Sequence, residues 1–298
     1  AVGRPEEFNQ VLSVVRKNNP GNNKLEDVEF ENARNLFYAE KYQAAIEALD
    51  RFQQSYRGSK YLYDARYFMA ASYDKLNDIG KALQIYGQVI GDNRSTYVAT
   101  AAQRSAELEI DRGNFSNAVS SYRVLLRNAE NKKEQGIAWI GLMDTYYSLK
   151  RYDSAMVYVR EVINLGNVVP DGVGKARLLE GKIGLDQGNT AQAADILKKV
   201  AADYKDEFGA EAKYLVALSE YRQKKYKEAE ATIFELSKTF DGYDQWRVKS
   251  FLLLADVYAA TNEMAQAKAT LNSIIENSDD QEAVKIAKEK LAKLDANR

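Results

Sequence analysis

The stretch WIGLMDTYYSLKRYDSA, residues 139–155, decides how this chain is read. Trp139, Leu142 and Tyr146 fall at helical offsets, a polar break follows at LKRY (149–152), and Tyr152 and Ala155 begin a second apolar pattern. Working outward, the step that ends on Ala155 recurs at Ala45, Ala82, Ala118, Ala193, Ala229 and Ala267. The seven anchors are separated by 37, 36, 37, 38, 36 and 38 residues. Such even spacing marks one helical hairpin repeated along the chain. A single hairpin cannot bury its own apolar seam, so copies must stack.

The seam is legible in each copy. Four residues after the anchors stand Leu49, Tyr86, Tyr122, Val159, Leu197, Ile233 and Leu271, and three further on Phe52, Val89, Leu125, Val162, Val200, Leu236 and Ile274. Offsets of 0, 4 and 7 share one stripe of a 3.6-residue helix. Twelve residues before the anchors lie Ala33, Ala70, Ala106, Met143, Gly181, Ala217 and Ala255, mostly small, which lets the two helices of a hairpin approach closely. Between the helices come turns such as RGNF (112–115) and QGNT (187–190), where Gly113 and Gly188 supply a positive φ.

Composition narrows function. The chain has 45% hydrophobic and 29% charged residues with only 3 Pro, which suits amphipathic helices. Basic and acidic residues balance, 42 against 43, without a like-charge block that could track a phosphate backbone, so nucleic acid is not an expected partner. No Cys and no His are present, which removes thiol nucleophiles, His-based triads and the usual zinc ligands. The longest apolar runs, such as FLLLADVYAA (251–260), are far shorter than the roughly 20 residues of a membrane span.

The array resembles tetratricopeptide repeats, whose first helix carries W-x2-L-G-x2-Y and whose second carries A-x3-F. Trp139, Leu142 and Tyr146 match, with Met143 where Gly is usual; Phe251, Leu254, Ala255 and Tyr258 match well; Met69, Ala70 and Tyr73 match in part. Glu109, Gly184 and Glu220 stand where the family prefers an aromatic, so those three hairpins are expected to pack differently. The family period is 34, whereas these units average about 37. The lengthening, seen in FQQSYRGSKYLYDARY (52–67), is similar to repeats of bacterial envelope proteins: outer-membrane-assembly lipoproteins of the BamD type, the cell-division coordinator YbgF and Tyr-rich repeat proteins of the Bacteroidetes. Arg57 and Lys205 take the place of that pattern's Pro.

The expected fold is therefore all-α, a right-handed α-solenoid of about seven tetratricopeptide-like hairpins with a leading half-repeat and a C-terminal capping helix. Residues 1–298 are read as one solenoid, with repeats at 26–62, 63–98, 99–135, 136–173, 174–209, 210–247 and 248–279. Residues 1–22 read as the second helix of a truncated unit, with Phe8 in the anchor place and Leu12 and Val15 on its stripe. A solenoid rarely starts on half a hairpin, so the expectation is a longer parent chain. Residues 280–298 put Ala283, Ile286, Ala287, Leu291 and Leu294 on one face, as a cap should.

The resemblance implies a partner-binding concave face built from the second, fifth, ninth and twelfth positions of each first helix. Here those include Phe30, Arg34 and Phe37; Tyr67 and Asp74; Ile140, Asp144 and Tyr147; Lys175, Leu178 and Lys182; and Tyr214, Leu218 and Tyr221. An aromatic groove of mixed charge suits an extended or helical peptide. The Lys and Asn pair with which some family members grip a C-terminal carboxylate occurs in no unit. Against the binding reading stands packing: several of these rings can equally cover the next hairpin. Ser72 and Lys75 have Ser-x-x-Lys spacing but lie mid-helix; DGVGK (171–175) lacks the spacing of a phosphate loop; paired acids such as Glu6 and Glu7 suit helix starts. No catalytic, cofactor or metal residue is assigned. The reading is a non-catalytic scaffold that binds a peptide or protein, with a periplasmic or outer-membrane-associated location. An architectural self-assembling subunit is the alternative, with an enzyme the least favoured.

Overall fold

The computed structural model describes Val14 and residues 23–296. The expected leading half-unit, with Phe8, Leu12 and Val15, lies outside the described residues apart from Val14, which is helical. Among the described residues from 23 onward there are fifteen helices and no strand: α1 (Asn23–Tyr38), α2 (Tyr42–Ser55), α3 (Leu62–Lys75), α4 (Ile79–Asp92), α5 (Val98–Asp111), α6 (Phe115–Asn128), α7 (Lys132–Ser148), α8 (Tyr152–Leu165), α9 (Gly172–Asp186), α10 (Thr190–Asp203), α11 (Glu207–Arg222), α12 (Tyr226–Thr239), α13 (Asp244–Ala260), α14 (Met264–Asn277) and α15 (Gln281–Ala296). The helices pair in hairpins of the α-solenoid class, α1 with α2, α3 with α4, α5 with α6, α9 with α10, α11 with α12 and α13 with α14, followed by α15. None of these helices is long and apolar enough to cross a membrane.

Every hairpin turns the same way. The residue five before each anchor is left-handed: Glu40, Asn77, Gly113, Lys150, Gly188, Lys224 and Asn262 all have φ between 56° and 82°. The next residue sends its N–H back to a first-helix carbonyl, as Lys41 does to Leu36 at 2.9 Å, Asn114 to Glu109 at 2.8 Å and Glu263 to Tyr258 at 2.7 Å. This is the Schellman closure, which satisfies carbonyls orphaned at a helix end. The two glycines were legible as turn residues. Glu40, Lys150 and Lys224 hold the same conformation at about 1–2 kcal/mol each, so packing of the hairpin, rather than glycine, imposes the turn.

The anchor alanines and both seam residues of all seven second helices are buried. Each large seam residue contributes roughly 1.5–3 kcal/mol by leaving water. The small first-helix positions are buried too, and at Gly181 an added Cβ would lie 2.5 Å from the Leu197 side chain, which shows how closely α9 meets α10. The hairpins expected to pack differently keep this geometry. Glu109 accepts from the Asn114 and Asn117 side chains at 2.7 and 3.2 Å, tying α5 to the first turn of α6. Gly184 brings α9 against Ala193, where a Cβ would sit 2.9 Å away. Glu220 is buried but accepts from the Thr232 hydroxyl at 2.7 Å. In each case the contact changes and the crossing stays. Ser72, in the last turn of α3, is buried and donates to the Phe68 carbonyl at 2.7 Å, a packing role.

The chain packs as two compact units, residues 1–145 and 146–298, divided within α7. The first unit has an aromatic core in which Tyr61 stacks on Phe30 at 4.5 Å and Phe30 meets Phe52 and Phe68; beside it Tyr86, Val89 and Leu108 form a second cluster. In the second unit, clusters around Leu197, Ile233 and Leu271 follow one another. There α15 packs on the preceding hairpin, burying Ala283 and Ala287 against Leu271 and Ile274, with its first turn capped by Asp280, which accepts from the Glu282 and Ala283 N–H groups at 3.0 Å.

Candidate partner-binding surface

The residues expected on the first-helix face are distributed over both units. In the 1–145 unit most are already engaged. Phe30 is 2% exposed and belongs to the core, so it is corrected from a binding residue to a packing residue: its ring fills the space between α2 and α3. Arg34 pairs with Glu31 at 2.6 Å and lies 5.9 Å from the Phe30 centroid. Phe37 sits edge-on to Phe68 at 5.4 Å, and Tyr67 stacks on Tyr97 at 4.3 Å. Asp74, with only 10% of its side chain exposed, accepts from two guanidinium nitrogens of Arg104 at 2.6 and 3.0 Å. Its charge is consumed within the scaffold. Arg104 also reaches Glu107 at 3.0 Å, and hydrogen bonds to the two carboxylates raise the guanidinium pKa further. Ile140 and Asp144 on α7 are half-buried.

In the 146–298 unit the expected side chains are half-buried apart from Leu178. Tyr147 donates to Asp186 at 3.0 Å, as does Tyr152 at 3.2 Å, and Lys182 lies 5.8 Å from the Tyr147 centroid while donating to Glu211 at 2.8 Å. Burial and the Asp186 bond hold the Tyr147 phenol neutral, well above its ordinary range. Tyr214 packs at 5.7 Å from Trp246, whose ring carries Lys249 Nζ at 4.3 Å; Tyr221 meets Tyr226 at 5.8 Å. Leu218 is half-buried and Leu178 buried in the neighbouring cores. The result is a row of half-covered tyrosines, Tyr147 hydrogen-bonded to Asp186, Tyr214 against the Trp246 ring and Tyr221 against the Tyr226 ring. Arg104, Asp186, Glu211 and Trp246 escaped sequence reasoning. All are contributed from the next hairpin; for Arg104 and Glu211 the available signal was complementary charge about one repeat away, and for Asp186 and Trp246 there was none.

Buried phenols make both units sensitive to alkali. Burial first, with Tyr97 beside it, pushes Tyr67 up to about 12; burial and Glu107 push Tyr122 up to about 12; burial and the bond to Glu230 push Tyr258 up to about 12. In the unfolded chain these groups titrate near 10. Because the folded pKa is raised, this stabilisation is complete below about pH 10 and is lost as pH climbs toward about 12. Urea denaturation followed by circular dichroism is expected to show a falling midpoint across that window. Tyr67→Phe should remove the share due to Tyr67 and leave that of Tyr122 and Tyr258; a midpoint that rises there would contradict the sign.

Residues 178–244 and 249–280 match two family models, each described as tetratricopeptide repeat. Those residues carry tetratricopeptide repeats. The matched segment runs from α9 to α14, where the hairpins, left-handed turns and buried anchors are those described above. Solved structures extend the similarity over nearly the whole repeat array. A tetratricopeptide repeat protein from Parabacteroides merdae is 16% identical with a TM-score of 0.55, covering 90% of this chain and 98% of that one. The C-terminal part of a repeat-containing protein from Cytophaga hutchinsonii is 14% identical with a TM-score of 0.60, covering 86% and 98%. The apo form of the quorum sensor NprR from B. thuringiensis is 13% identical with a TM-score of 0.58, covering 98% and 88%. At these identities the shared feature is the repeat fold. No curated protein matches the chain by sequence. The further resemblance to BamD-type lipoproteins and YbgF has no counterpart among these matches.

Proposed function

We propose that this repeat array is a non-catalytic adaptor that binds an extended or helical protein segment along the first-helix face of its 146–298 unit. The observation that carries the reading is the row Tyr147, Tyr214 and Tyr221, each half-buried and held by a neighbouring helix. Anchored tyrosines offer large contact area with little rotamer entropy left to lose, so a partner pays mainly for its own ordering. The Lys182–Glu211 pair beside them sets direction through a charge pattern that an incoming segment must match. The absence of His and Cys from the sequence favours binding over catalysis.

A location in the bacterial envelope is part of the proposal, supported by the Tyr-rich style of the repeats. Crosslinking in native cells followed by affinity capture should recover a protein partner in the envelope fraction, and Tyr147→Ala combined with Tyr214→Ala should lose it. Equal recovery by the double variant rejects the face; recovery only from the cytosol rejects the location.

A further inference from the structure

On the second-helix side of the 146–298 unit two grooves of identical construction lie one repeat apart. The first, between α10 and α12 over α11, has a volume of about 330 Å³ and is lined by Lys198, Lys213, Glu235 and Phe240. The second, between α12 and α14 over α13, has a volume of about 560 Å³. Its residues at the corresponding positions are Phe234, Phe251, Ser273 and Ser278.

Chemistry separates the two. In the first groove Lys213 bridges to Glu235 at 2.6 Å, Lys198 lies 3.6 Å from Glu220, and the buried Phe240 ring plugs one end. In the second, Ser273 stands in place of the acid and Ser278 in place of the plug, so the channel stays open. Phe234 is 49% exposed at its rim. At that position the other second helices carry Asp50, Gly87, Arg123, Arg160, Lys198 and Asn272. Phe234 is thus the one large apolar side chain at a position otherwise polar or glycine, beside an apolar floor that includes Val248, Phe251 and Ile274.

We propose that this outer groove docks an amphipathic segment of a partner protein that presents two large apolar side chains and a neighbouring carboxylate. The apolar side chains fit against Phe234 and Phe251. The carboxylate is assigned from charge: Arg247 is the single charged residue lining the groove and no acid lines it. Arg247 now pairs with Asp244 at 2.6 Å, but the Asp244 side chain is 76% exposed, so that water-screened pair can exchange for an incoming acid at little cost. The site is separate from the first-helix face proposed above and does not depend on it.

The test is selection of a displayed random short-peptide library on the intact chain, followed by titration of the selected synthetic peptides by fluorescence anisotropy. Enriched peptides should pair apolar residues three or four apart with Asp or Glu. Phe234→Lys, which copies Lys198 at a solvent-facing position, should weaken them by about tenfold. Ser278→Tyr should block the groove, and Arg247→Glu should turn the preference from acidic to basic peptides, with circular dichroism confirming that each variant is folded. The proposal is overturned if no peptide is enriched, if the selected peptides bind all three variants as tightly as the parent, or if binding is lost instead on Tyr147→Ala. It is equally overturned if light scattering shows a dimer that Phe234→Lys dissociates, since the occupant would then be a second copy of the chain.

Discussion

Phe240→Ala is expected to lower the stability of the 146–298 unit by about 3–5 kcal/mol, the range for removing a buried aromatic ring whose site cannot collapse. Phe240 is among the largest fully buried side chains. It packs with Ala210, Leu236 and Trp246, faces Tyr243 at 6.3 Å and has Lys205 Nζ 5.6 Å from its centroid. Collapse is hindered because α12 ends at this residue, its N–H held by the Leu236 carbonyl at 2.9 Å. The two tryptophans make the measurement direct: Trp139 lies in the first unit and Trp246 in the second, so a Trp139→Phe background leaves one fluorophore against the altered site. Chemical denaturation followed at Trp246 should show the midpoint fall. A loss under about 1 kcal/mol would mean that neighbouring side chains refill the space and that Phe240 is not the plug described.

Gly209→Ala should cost about 3 kcal/mol although alanine is the better helix former by about 1 kcal/mol. An added Cβ at residue 209 would lie 1.9 Å from the Tyr204 carbonyl oxygen and 3.0 Å from the Phe240 ring. Backbone cannot swing aside as a side chain can. The link is pinned on both sides, by Tyr204 N–H to the Val200 carbonyl at 3.0 Å and by the Asp206 carboxylate, which accepts from Phe208 and Gly209 N–H at 3.0 and 3.2 Å. Moving it would break the cap of α11. Gly87 in α4 is the matching control: nothing lies within 4 Å of its added Cβ, so Gly87→Ala should stabilise by roughly 0.5–1 kcal/mol. Denaturation midpoints of opposite sign for the two variants bear out the steric argument, and a stabilised Gly209→Ala defeats it.

Much of the architecture was readable because its causes are local or recur at a fixed interval. The anchor alanines, the seam residues three and four apart and the small first-helix positions all describe which face of a helix is apolar, and burial followed at each of them. The turns were half legible. Gly113 and Gly188 announced a left-handed residue, whereas Glu40, Lys150 and Lys224 did not, since nothing about glutamate or lysine favours that conformation. The Glu109, Gly184 and Glu220 hairpins looked irregular by motif but needed only a different contact at the same crossing.

The binding face was less legible. A positional rule placed Phe30 and Asp74 toward a ligand, while the folded chain turns the first into core and binds the second to Arg104. Neither outcome depends on the residue's own helix; each depends on what the following hairpin brings opposite. The outer groove left a trace that reading for the seam alone passes over. Phe234 interrupts a polar series, and Ser278 stands one repeat after the aromatic Phe240.

By itself the sequence determined that the chain is a series of helical hairpins and at what interval they recur, because helix periodicity and the need to bury an apolar stripe act over a few neighbouring residues. Tertiary structure alone decided which rings are covered, which charges are spent in pairs and which groove stays open. Those depend on side chains about a repeat away, and burial and Coulomb attraction are set by distance in space.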